Sequence, residues 1–230
     1  MSPASRPPPG RARARIAVVD SGIGNLRSAE KALQRAGADA RLVDDPESVA
    51  AAEGVVLPGV GAFGRCREAL AAAGLDAAVV DTVARGVPLL GICVGLQLLY
   101  EGSDESPGVD GLGLLPGVVG RLPEGVKHPQ MQWNRLVVTG LSCPLLTGPL
   151  LAPPAEAWVY FVHSYAAPVG PETVATCDYG GPVAAVVEAG EARIWATQFH
   201  PEKSGPVGLA LLSGFVAEVA RLAAHSAVRE

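Results

Sequence analysis

The chain has 230 residues, of which 49% are hydrophobic, and its 18 basic and 23 acidic residues give a formal net charge of −5 at pH 7. This apolar content and small net charge exclude disorder over most of the length, and a chain of this size usually forms one domain. An acidic chain also lacks the broad basic face that binding to nucleic-acid phosphates requires, so we expect no nucleic-acid partner.

A membrane span is disfavoured as well. The run of residues 86–100 is uncharged but only 15 residues long, and it is interrupted by Pro88, Gly91 and Gly95. A helix that crosses a bilayer needs about 18 or more apolar residues. We therefore expect no contact with a membrane.

The cysteines are widely spaced in the sequence: Cys66, Cys93, Cys143 and Cys177. They form no CxxC pair, which excludes a zinc ribbon and a thioredoxin-type dithiol. The N-terminus lacks the apolar stretch of a secretory signal, and a chain of this size does not need disulfides. We expect a cytoplasmic protein with free thiols and no bound metal.

The first 15 residues are rich in proline and arginine and contain no acidic or aromatic residue. Such a segment cannot bury enough apolar surface to fold. Residues 1–15 are therefore predicted to be a disordered extension, and residues 16–230 the folded domain.

Apolar strands alternate with helical patterns between residues 16 and 101. Strands are predicted at 16–19, 41–43, 54–57 and 87–92, and helices at 26–36, 63–73, 75–85 and 94–101, the first of them with Asn25 as its N-cap. Continuous apolar strands separated by helices are typical of a parallel sheet that is buried on both faces.

After residue 102, strand-like runs follow one another without helices between them, at 118–122, 133–138, 158–162, 174–177, 183–188 and 192–198. These runs predict antiparallel or mixed strands that are added to the same sheet. A helix at 209–223 closes the chain. The whole pattern is that of an α/β fold.

The most informative segment surrounds Cys93 and reads Gly91-Ile92-Cys93-Val94-Gly95. A nucleophile in such a turn sits on a sharp bend, and the flanking glycines allow neighbouring backbone to approach closely. At a helix N-terminus the thiolate is favoured, and the N–H of Val94 points to where an oxyanion would form. A buried structural cysteine is the simpler alternative, but the two glycines favour a nucleophile.

A cysteine nucleophile needs a base, and His200 is the best candidate among the four histidines. Glu202 follows it by two residues, and residues i and i+2 face the same side of an extended chain, a conformation that Pro201 favours for His200. Glu202 can then orient the imidazole toward Cys93. A purely structural histidine at a strand end, hydrogen-bonded to a nearby acid, is about as common. The nucleophile turn predicted at Cys93 favours the catalytic interpretation of His200.

Four further motifs have weaker signals. The glycine-rich loop at 58–63 follows a strand, where α/β hydrolases place a second oxyanion donor, although a tight turn alone would need the same glycines. Gly22-Ile23-Gly24 lacks the third glycine of a dinucleotide-binding turn, because Arg27 stands there, so no cofactor is expected. Asp20-Ser21-Gly22 matches an aspartic protease string but has no second copy, and His163-Ser164 is interpreted as the lining of a pocket.

Five segments carry a resemblance to a known family: GICVGLQLLYEGSDE, PGVGAFG, DSGIGNLRS, WVYFVHSY and QFHPEKSG. Together they resemble the class I (triad) glutamine amidotransferases, and within that class the glutaminase subunits of imidazole glycerol phosphate synthases. The combination of G-x-C-x-G-x-Q with F-H-P-E is specific for the class, and PGVGAFG, GNLRS and HPEKSG narrow it to the subunit. The match runs from about Ile16 to the C-terminal helix.

This resemblance implies a flavodoxin-like, three-layer α/β fold with a central, mostly parallel sheet and added antiparallel strands. It implies hydrolysis of L-glutamine to glutamate and ammonia, with Cys93 as nucleophile, His200 as acid and base, and Glu202 as the group that orients His200. The oxyanion would be held by Val94 and by the Gly59–Val60 peptide. The residues expected to bind glutamine are Gly61, Gln97, Glu105, Ser164 and Tyr165.

The resemblance also implies a heterodimer with a (β/α)8 cyclase subunit. That subunit uses the ammonia to make imidazole glycerol phosphate and an aminoimidazole carboxamide ribotide in histidine biosynthesis. The residues that match interface positions of the family are Asn25, Trp133, Asn134, Tyr160 and Lys203. Other interpretations stay open at this point: a glutaminase subunit of anthranilate, guanylate or pyridoxal phosphate synthase, a non-catalytic regulatory module of the same fold, or a cysteine peptidase or general thiol hydrolase.

Overall fold

The computed structural model of the protein describes residues 13–24, 26–139, 143–148, 156–191 and 193–226. Residues 1–12 of the expected extension lie outside these ranges, as does Asn25, the expected N-cap and interface residue. Of the remaining extension residues, Ala14 is buried and Arg15 already belongs to the first strand.

The described residues form thirteen strands and six α-helices. The strands are β1 Arg15–Val19, β2 Asp39–Val43, β3 Gly54–Gly59, β4 Leu89–Cys93, β5 Gly102–Ser103, β6 Val118–Arg121, β7 Gln130–Arg135, β8 Val137–Val138, β9 Trp158–His163, β10 Tyr165–Ala166, β11 Thr173–Asp178, β12 Pro182–Ala189 and β13 Ile194–Thr197. The helices are α1 Arg27–Arg35, α2 Pro46–Ala50, α3 Phe63–Ala72, α4 Leu75–Ala84, α5 Val94–Leu98 and α6 Gly205–Ser226, and 3₁₀ turns lie at Pro144–Leu146 and Pro201–Lys203.

The main sheet has eight strands in the order β2-β1-β3-β4-β13-β12-β11-β8. Its first five strands are parallel, and β12, β11 and β8 are added antiparallel. The parallel part has the flavodoxin order 2-1-3-4-5, with β13 in fifth place. The predicted α/β fold with added antiparallel strands is therefore confirmed. The prediction that every later run belongs to this sheet is wrong, because the runs at 118–122 and 158–162 and most of 133–138 lie outside it. Two smaller sheets, β10-β6-β5 and β7-β9, are separate from it.

Helices cover both faces of the parallel strands. Helix α1 packs against α6, whereas α4 packs against α2 and α3. The connections from β1 to β2 and from β3 to β4 cross the sheet in opposite directions, and right-handed crossovers then place their helices on opposite faces. The strands between these layers are accordingly apolar: β4 is buried throughout, and β1 is buried from Ile16 onward.

Some element boundaries differ from the prediction. Helix α2 is absent from the predicted elements, although Asp45 caps it by accepting a hydrogen bond from the Ser48 N–H at 2.7 Å, and Pro46 stands at its first position. Helix α6 begins at Gly205 rather than at residue 209, because Pro206 is tolerated in the first turn of a helix. The predicted strand at 133–138 starts earlier, at Gln130, and is divided into β7 and β8.

By length and composition alone, one helix among the described residues could span a membrane, namely Gly205–His225 of α6. The expectation that the protein does not contact a membrane is based on residues 86–100 and does not include this helix. In the fold, Leu211, Phe215 and Val219 recur every four residues and are buried, and Phe215 packs edge-to-face against Trp195 of β13. Burial of one such apolar stripe is typical of a helix that packs on the core of a protein.

Candidate active site

The carboxyl ends of β3, β4 and β13 meet at one edge of the main sheet. Gly59 at the end of β3 is the register partner of Cys93 at the end of β4, and β13 runs parallel to β4 on its other side. His200 follows β13 by three residues. Open α/β sheets bind ligands at this edge. The topology therefore brings Cys93 and His200, which are distant in sequence, to the same place.

Cys93 occupies a strained turn between β4 and α5. Its φ of 56° and ψ of −111° are unusual for a residue with a side chain, and in the described part of the chain only Arg193 shares a positive φ among non-glycine residues. Such a conformation costs on the order of 1–3 kcal/mol and is kept where the surrounding structure enforces it. The turn places the sulfur in the wall of a cavity, which is the geometry expected of a nucleophile.

The glycines around Cys93 are required by close packing. A Cβ on Gly95 would overlap the carbonyl oxygen of Leu57, and a Cβ on Gly91 would lie 3.0 Å from the carbonyl oxygen of Gly95. A Cβ on Gly59 would lie 2.7 Å from the backbone nitrogen of Gly95. Because these positions have no room for a side chain, the backbone of the turn packs directly against β3. This is the close backbone approach expected from the two glycines that flank Cys93 in the sequence.

His200 and Glu202 form a buried pair beside the cavity. The Nδ1 of His200 lies 2.8 Å from the Oε1 of Glu202, and both side chains are at least nine-tenths buried. The predicted extended chain is wrong at this point, because Pro201–Lys203 forms a 3₁₀ turn after an extended His200. The Ser204 hydroxyl, which donates to the His200 carbonyl oxygen at 2.6 Å, anchors that turn.

The surroundings of His200 favour its charged form. Burial of the ring opposes the charge, but hydrogen bonds with Cys93 and Glu202 outweigh burial and raise the pKa of His200 to about 9. The second carboxylate oxygen of Glu202, Oε2, is buried and has no hydrogen-bond partner within the described ranges. The negative charge of Glu202 is thus compensated by the imidazolium that forms when His200 takes up the proton of Cys93.

The cavity has a volume of about 300 Å³. It is lined by Val60, Gly61, Cys93, Val94, Gln97, Glu105, Val162, His163, Ser164, Tyr165, His200 and Lys203. All five residues expected to bind glutamine are in this lining. Wider clefts of about 510 and 680 Å³ elsewhere on the described surface contain no cysteine, and the described residues place no group of three His, Cys, Asp or Glu side chains around a metal position.

The loop after β3 forms another part of the cavity wall. Val60 and Gly61 line the cavity, Gly59 is buried behind them, and Gly61 has a φ of 92° that favours glycine. The Cys66 thiol donates a hydrogen bond to the Val60 carbonyl oxygen at 3.2 Å, which fixes the plane of the Val60–Gly61 peptide. Burial of this thiol raises the pKa of Cys66.

Gln97 lies one helical turn beyond Cys93, on the same face of α5. Its Nε2 donates to the carbonyl oxygen of Tyr165 at 2.9 Å and to the Oε1 of Gln198 at 3.2 Å. Both amide hydrogens of Gln97 are therefore used within the protein, and its oxygen is the group left for a ligand. Gln198 is a site residue that the sequence reasoning missed.

His163 ends β9 and lines the same cavity, in agreement with its interpretation as a pocket residue. Its Nδ1 lies 2.8 Å from the carbonyl oxygen of Tyr165, and since a carbonyl only accepts, Nδ1 carries the hydrogen. Burial lowers the pKa of His163 to about 4, so the ring is neutral at pH 7. Its Nε2 is buried and has no partner among the described residues.

Of the residues expected at a partner interface, Trp133, Asn134 and Tyr160 lie in the β7–β9 sheet, and Lys203 lies in the 3₁₀ turn that contacts β9. Trp133 and Tyr160 are register partners, and their rings meet edge-to-face with centroids 6.1 Å apart. The Trp133 side chain is 49% exposed, and Lys203 is exposed at the cavity. The Asn134 side chain is less available to a partner, because its amide nitrogen donates a hydrogen bond to the Asp178 carbonyl oxygen at 2.9 Å.

Comparison with known proteins agrees with this geometry. The family model for glutamine amidotransferase class-I matches residues 17–219. The chain is 47% identical over 210 residues to the imidazole glycerol phosphate synthase subunit HisH of Synechococcus sp. (strain JA-3-3Ab), covering 90% of this chain and 95% of the relative. It is 48% identical over 217 residues to the subunit HisH of Deinococcus radiodurans, covering 92% of this chain and 97% of the relative.

A solved structure supports the fold independently of the sequence matches. A crystal structure of a glutamine amidotransferase superposes with a TM-score of 0.69 at 22% identity, covering 90% of this chain and 98% of the other. At that identity the likeness concerns the fold alone. Together with the sequence matches, it confirms the resemblance drawn from the motifs. The chain belongs to the class-I glutamine amidotransferase family and, within it, to the HisH subunits of imidazole glycerol phosphate synthase.

Proposed function

We propose that the protein is the glutaminase subunit of an imidazole glycerol phosphate synthase and hydrolyses L-glutamine to glutamate and ammonia. The observation that carries this proposal is the placement of Cys93, on a strained turn, in the wall of a cavity that His200 also lines with Glu202 behind it. The high identity to HisH subunits favours this synthase over anthranilate, guanylate or pyridoxal phosphate synthases. The complete set of Cys93, His200 and Glu202 argues against a non-catalytic module.

The first half of the reaction releases ammonia. His200 takes the proton of the Cys93 thiol, and the sulfur attacks the carboxamide carbon of glutamine. The carboxamide oxygen gains negative charge, and the N–H groups of Val94 and of the Gly59–Val60 peptide stabilise it. His200 then gives its proton to the leaving nitrogen, so that ammonia departs and a thioester to Cys93 remains.

The second half of the reaction restores the enzyme. His200 takes a proton from water, the resulting hydroxide adds to the thioester carbon, and the sulfur leaves and regains a proton, which releases glutamate. Glu202 holds the Nδ1 side of His200, so that Nε2 performs both proton transfers.

The substrate is held by the remaining residues of the cavity wall. The carboxylate of Glu105 attracts the α-ammonium group of glutamine. Gln97 offers its side-chain oxygen, because its nitrogen is occupied by Tyr165 and Gln198. Gly61, Ser164 and Tyr165 complete the site for the other polar groups of the substrate.

The partner is a (β/α)8 cyclase subunit, which binds this chain as a heterodimer in the cytoplasm and uses the ammonia for imidazole glycerol phosphate and the aminoimidazole carboxamide ribotide in histidine biosynthesis. Support for the docking face comes from the exposed ring of Trp133 and from Lys203 beside the cavity. Tyr160, Asn134 and Asn25 belong to the same proposed interface. The amidotransferase domain of this proposal comprises residues 16–230, and Ala14 and Arg15 pack with it.

A glutaminase assay of the full-length chain, alone and with the cyclase subunit and its nucleotide substrate, tests this proposal. We expect slow hydrolysis alone, faster hydrolysis with both additions, and a loss of several orders of magnitude in Cys93→Ala. Cys143→Ala is the matched control, because Cys143 is also buried but does not line the cavity. Glutaminase activity that persists in Cys93→Ala would contradict the mechanism, and stimulation by a different synthase would contradict the partner.

A further inference from the structure

Gln198 lies between the nucleophile and the substrate-binding part of the cavity wall. It directly follows β13, its side chain is 0% exposed, and its backbone N–H donates to the Ala185 carbonyl oxygen at 2.9 Å. A carboxamide that is completely buried needs partners for both of its ends, since an unsatisfied polar group in the interior is costly. Gln198 finds these partners in Gln97 and Cys93.

The direction of this chain of hydrogen bonds is set by a backbone carbonyl. The Tyr165 carbonyl oxygen can only accept, so the amide group of Gln97 that faces it must be the nitrogen. The same nitrogen donates to the Oε1 of Gln198 at 3.2 Å. The nitrogen of Gln198 is then directed at Cys93, with 3.8 Å between Nε2 and Sγ. The order of donors runs from Gln97 through Gln198 to the sulfur.

Several groups face the sulfur besides Gln198. The Val162 carbonyl oxygen lies 3.9 Å from Sγ and can accept from the thiol but not support a thiolate. The titratable and charged groups around Cys93, from the elements packed against it, are His200 with Glu202, His163, Cys66, Glu105 and Lys203. Unlike these groups, the amide of Gln198 donates a hydrogen bond at every pH.

We propose that Gln198 is a further catalytic residue, whose side-chain amide donates a hydrogen bond to the Cys93 sulfur and stabilises the thiolate that forms when the proton moves to His200. The proposal rests on the proposed function of Cys93 as the nucleophile. By the same contacts, Gln198 keeps the amide of Gln97 turned so that its oxygen faces the substrate. Loss of the Gln198 side-chain amide therefore destabilises the Cys93 thiolate. It also leaves the Gln97 oxygen less firmly oriented toward the substrate.

The decisive measurement is the rate of Cys93 alkylation by iodoacetamide as a function of pH, in the full-length chain without glutamine. Mass spectrometry of peptides distinguishes Cys93 from the three other cysteines. In Gln198→Met, which has a similar length but no donor, we expect the pH of half-maximal rate to rise by about one unit, as for the loss of a hydrogen bond to a charged group. At pH 7 the alkylation rate then falls by up to about tenfold.

A matched control exists within the same chain. Gln130 is also 0% exposed, and its Nε2 lies 3.7 Å from the sulfur of another cysteine, Cys177. Gln130→Met removes the same kind of contact at a sulfur that does not line the cavity, and we expect the Cys93 profile to stay that of the wild type. In Gln198→Glu, a carboxylate beside the sulfur opposes a second negative charge, so the half-maximal pH should rise further than in Gln198→Met.

Glutaminase kinetics separate this proposal from the proposed function. If Cys93→Ala abolishes glutamine hydrolysis while folded Gln198→Met and Gln198→Glu show the wild-type alkylation profile, Cys93 is the nucleophile and the role of Gln198 is refuted. Circular dichroism establishes that the variants are folded. If neither variant folds, the side-chain amide resonance of Gln198 in the ¹⁵N-labelled wild type provides the test. We expect this resonance to shift over the same pH range in which the alkylation rate rises. In Cys93→Ala the resonance should not shift over that range. A wild-type Gln198 resonance that does not shift over this pH range would overturn the proposal.

Discussion

Glu105 accepts a hydrogen bond from the backbone N–H of Phe63, with 2.8 Å between Oε2 and the nitrogen. Phe63 begins α3, whose own N-cap, Ala62, has no side-chain oxygen to offer. A carboxylate at this position compensates the positive end of the helix. Because Glu105 also lines the cavity, it joins the glutamine site to the loop that carries Val60 and Gly61.

The two roles of Glu105 can be separated by substitution. Glu105→Gln keeps an acceptor for the Phe63 N–H but removes the charge, so we expect KM for glutamine to rise by about tenfold or more, as for the loss of a charged hydrogen bond. Glu105→Ala also removes the cap and should lower the free energy of unfolding by about 0.5–2 kcal/mol. Steady-state kinetics and urea denaturation measure the two effects. A wild-type KM in Glu105→Gln would exclude Glu105 as the ammonium partner.

The raised pKa of His200 predicts how stability depends on pH. With a pKa of about 9 in the folded chain and about 6.5 in the unfolded chain, His200 contributes its full stabilisation below pH 6.5 and loses it as the pH rises toward 9. We expect the free energy of unfolding to fall over this window by roughly 1–3 kcal/mol more in the wild type than in Glu202→Gln, which lacks the carboxylate. Urea denaturation of both proteins at pH 6, 7.5 and 9 measures the difference. Parallel pH profiles would show that Glu202 does not stabilise the charged imidazole.

The packing of the turn predicts that Gly95 cannot carry a side chain. In Gly95→Ala the new Cβ would overlap the Leu57 carbonyl oxygen, which is backbone of a central strand and cannot move aside. We expect a loss of about 3 kcal/mol or more, or failure to fold. Gly113→Ala is the control, because a Cβ at Gly113 would meet nothing within 4 Å, and its positive φ of 62°, which Gly95 lacks, should by itself cost only about 1 kcal/mol. Equal losses in the two variants would mean that contact with Leu57 does not matter.

The predictable part of the site is encoded by residues that are close in sequence. The turn at Cys93 depends on glycines two residues away, and the pairing of His200 with Glu202 depends on a two-residue spacing. That pairing occurs, but at the entry to a 3₁₀ turn instead of in a strand, because Ser204 draws the chain back by bonding to the His200 carbonyl oxygen.

Gln198 and Glu105 show where sequence reasoning ends. The contact of Gln198 with Cys93 follows from the parallel register of β13 on β4, which no local pattern specifies. The cap that Glu105 provides for α3 joins residues 42 positions apart, so its structural role is equally hidden. A polar residue after the apolar strand Ile194–Thr197 is the one signal that could have drawn attention to Gln198.

Lys203 is predicted to serve the coupling to the partner. It is exposed and lies in the cavity wall, so Lys203→Ala should change the free energy of unfolding by less than about 0.5 kcal/mol. We expect the stimulation of glutaminase activity by the cyclase subunit and its nucleotide to fall severalfold, while the activity of the isolated chain changes less. Arg41→Ala, an exposed cation on the edge strand β2, should keep full stimulation. Unchanged stimulation in Lys203→Ala would remove this residue from the coupling.

Trp133 is predicted to anchor the partner subunit. Its half-exposed ring packs edge-to-face on Tyr160, and aromatic side chains held in this way contribute strongly to interfaces. Trp133→Ala should weaken binding of the cyclase subunit by at least about thirtyfold, which calorimetric titration measures, because truncation of such an anchor costs about 2 kcal/mol or more. Trp158 is similarly exposed but begins β9, at the end of that strand away from the cavity residue His163. Trp158→Ala should therefore have the smaller effect, and equal losses of affinity would place the centre of the interface away from the cavity.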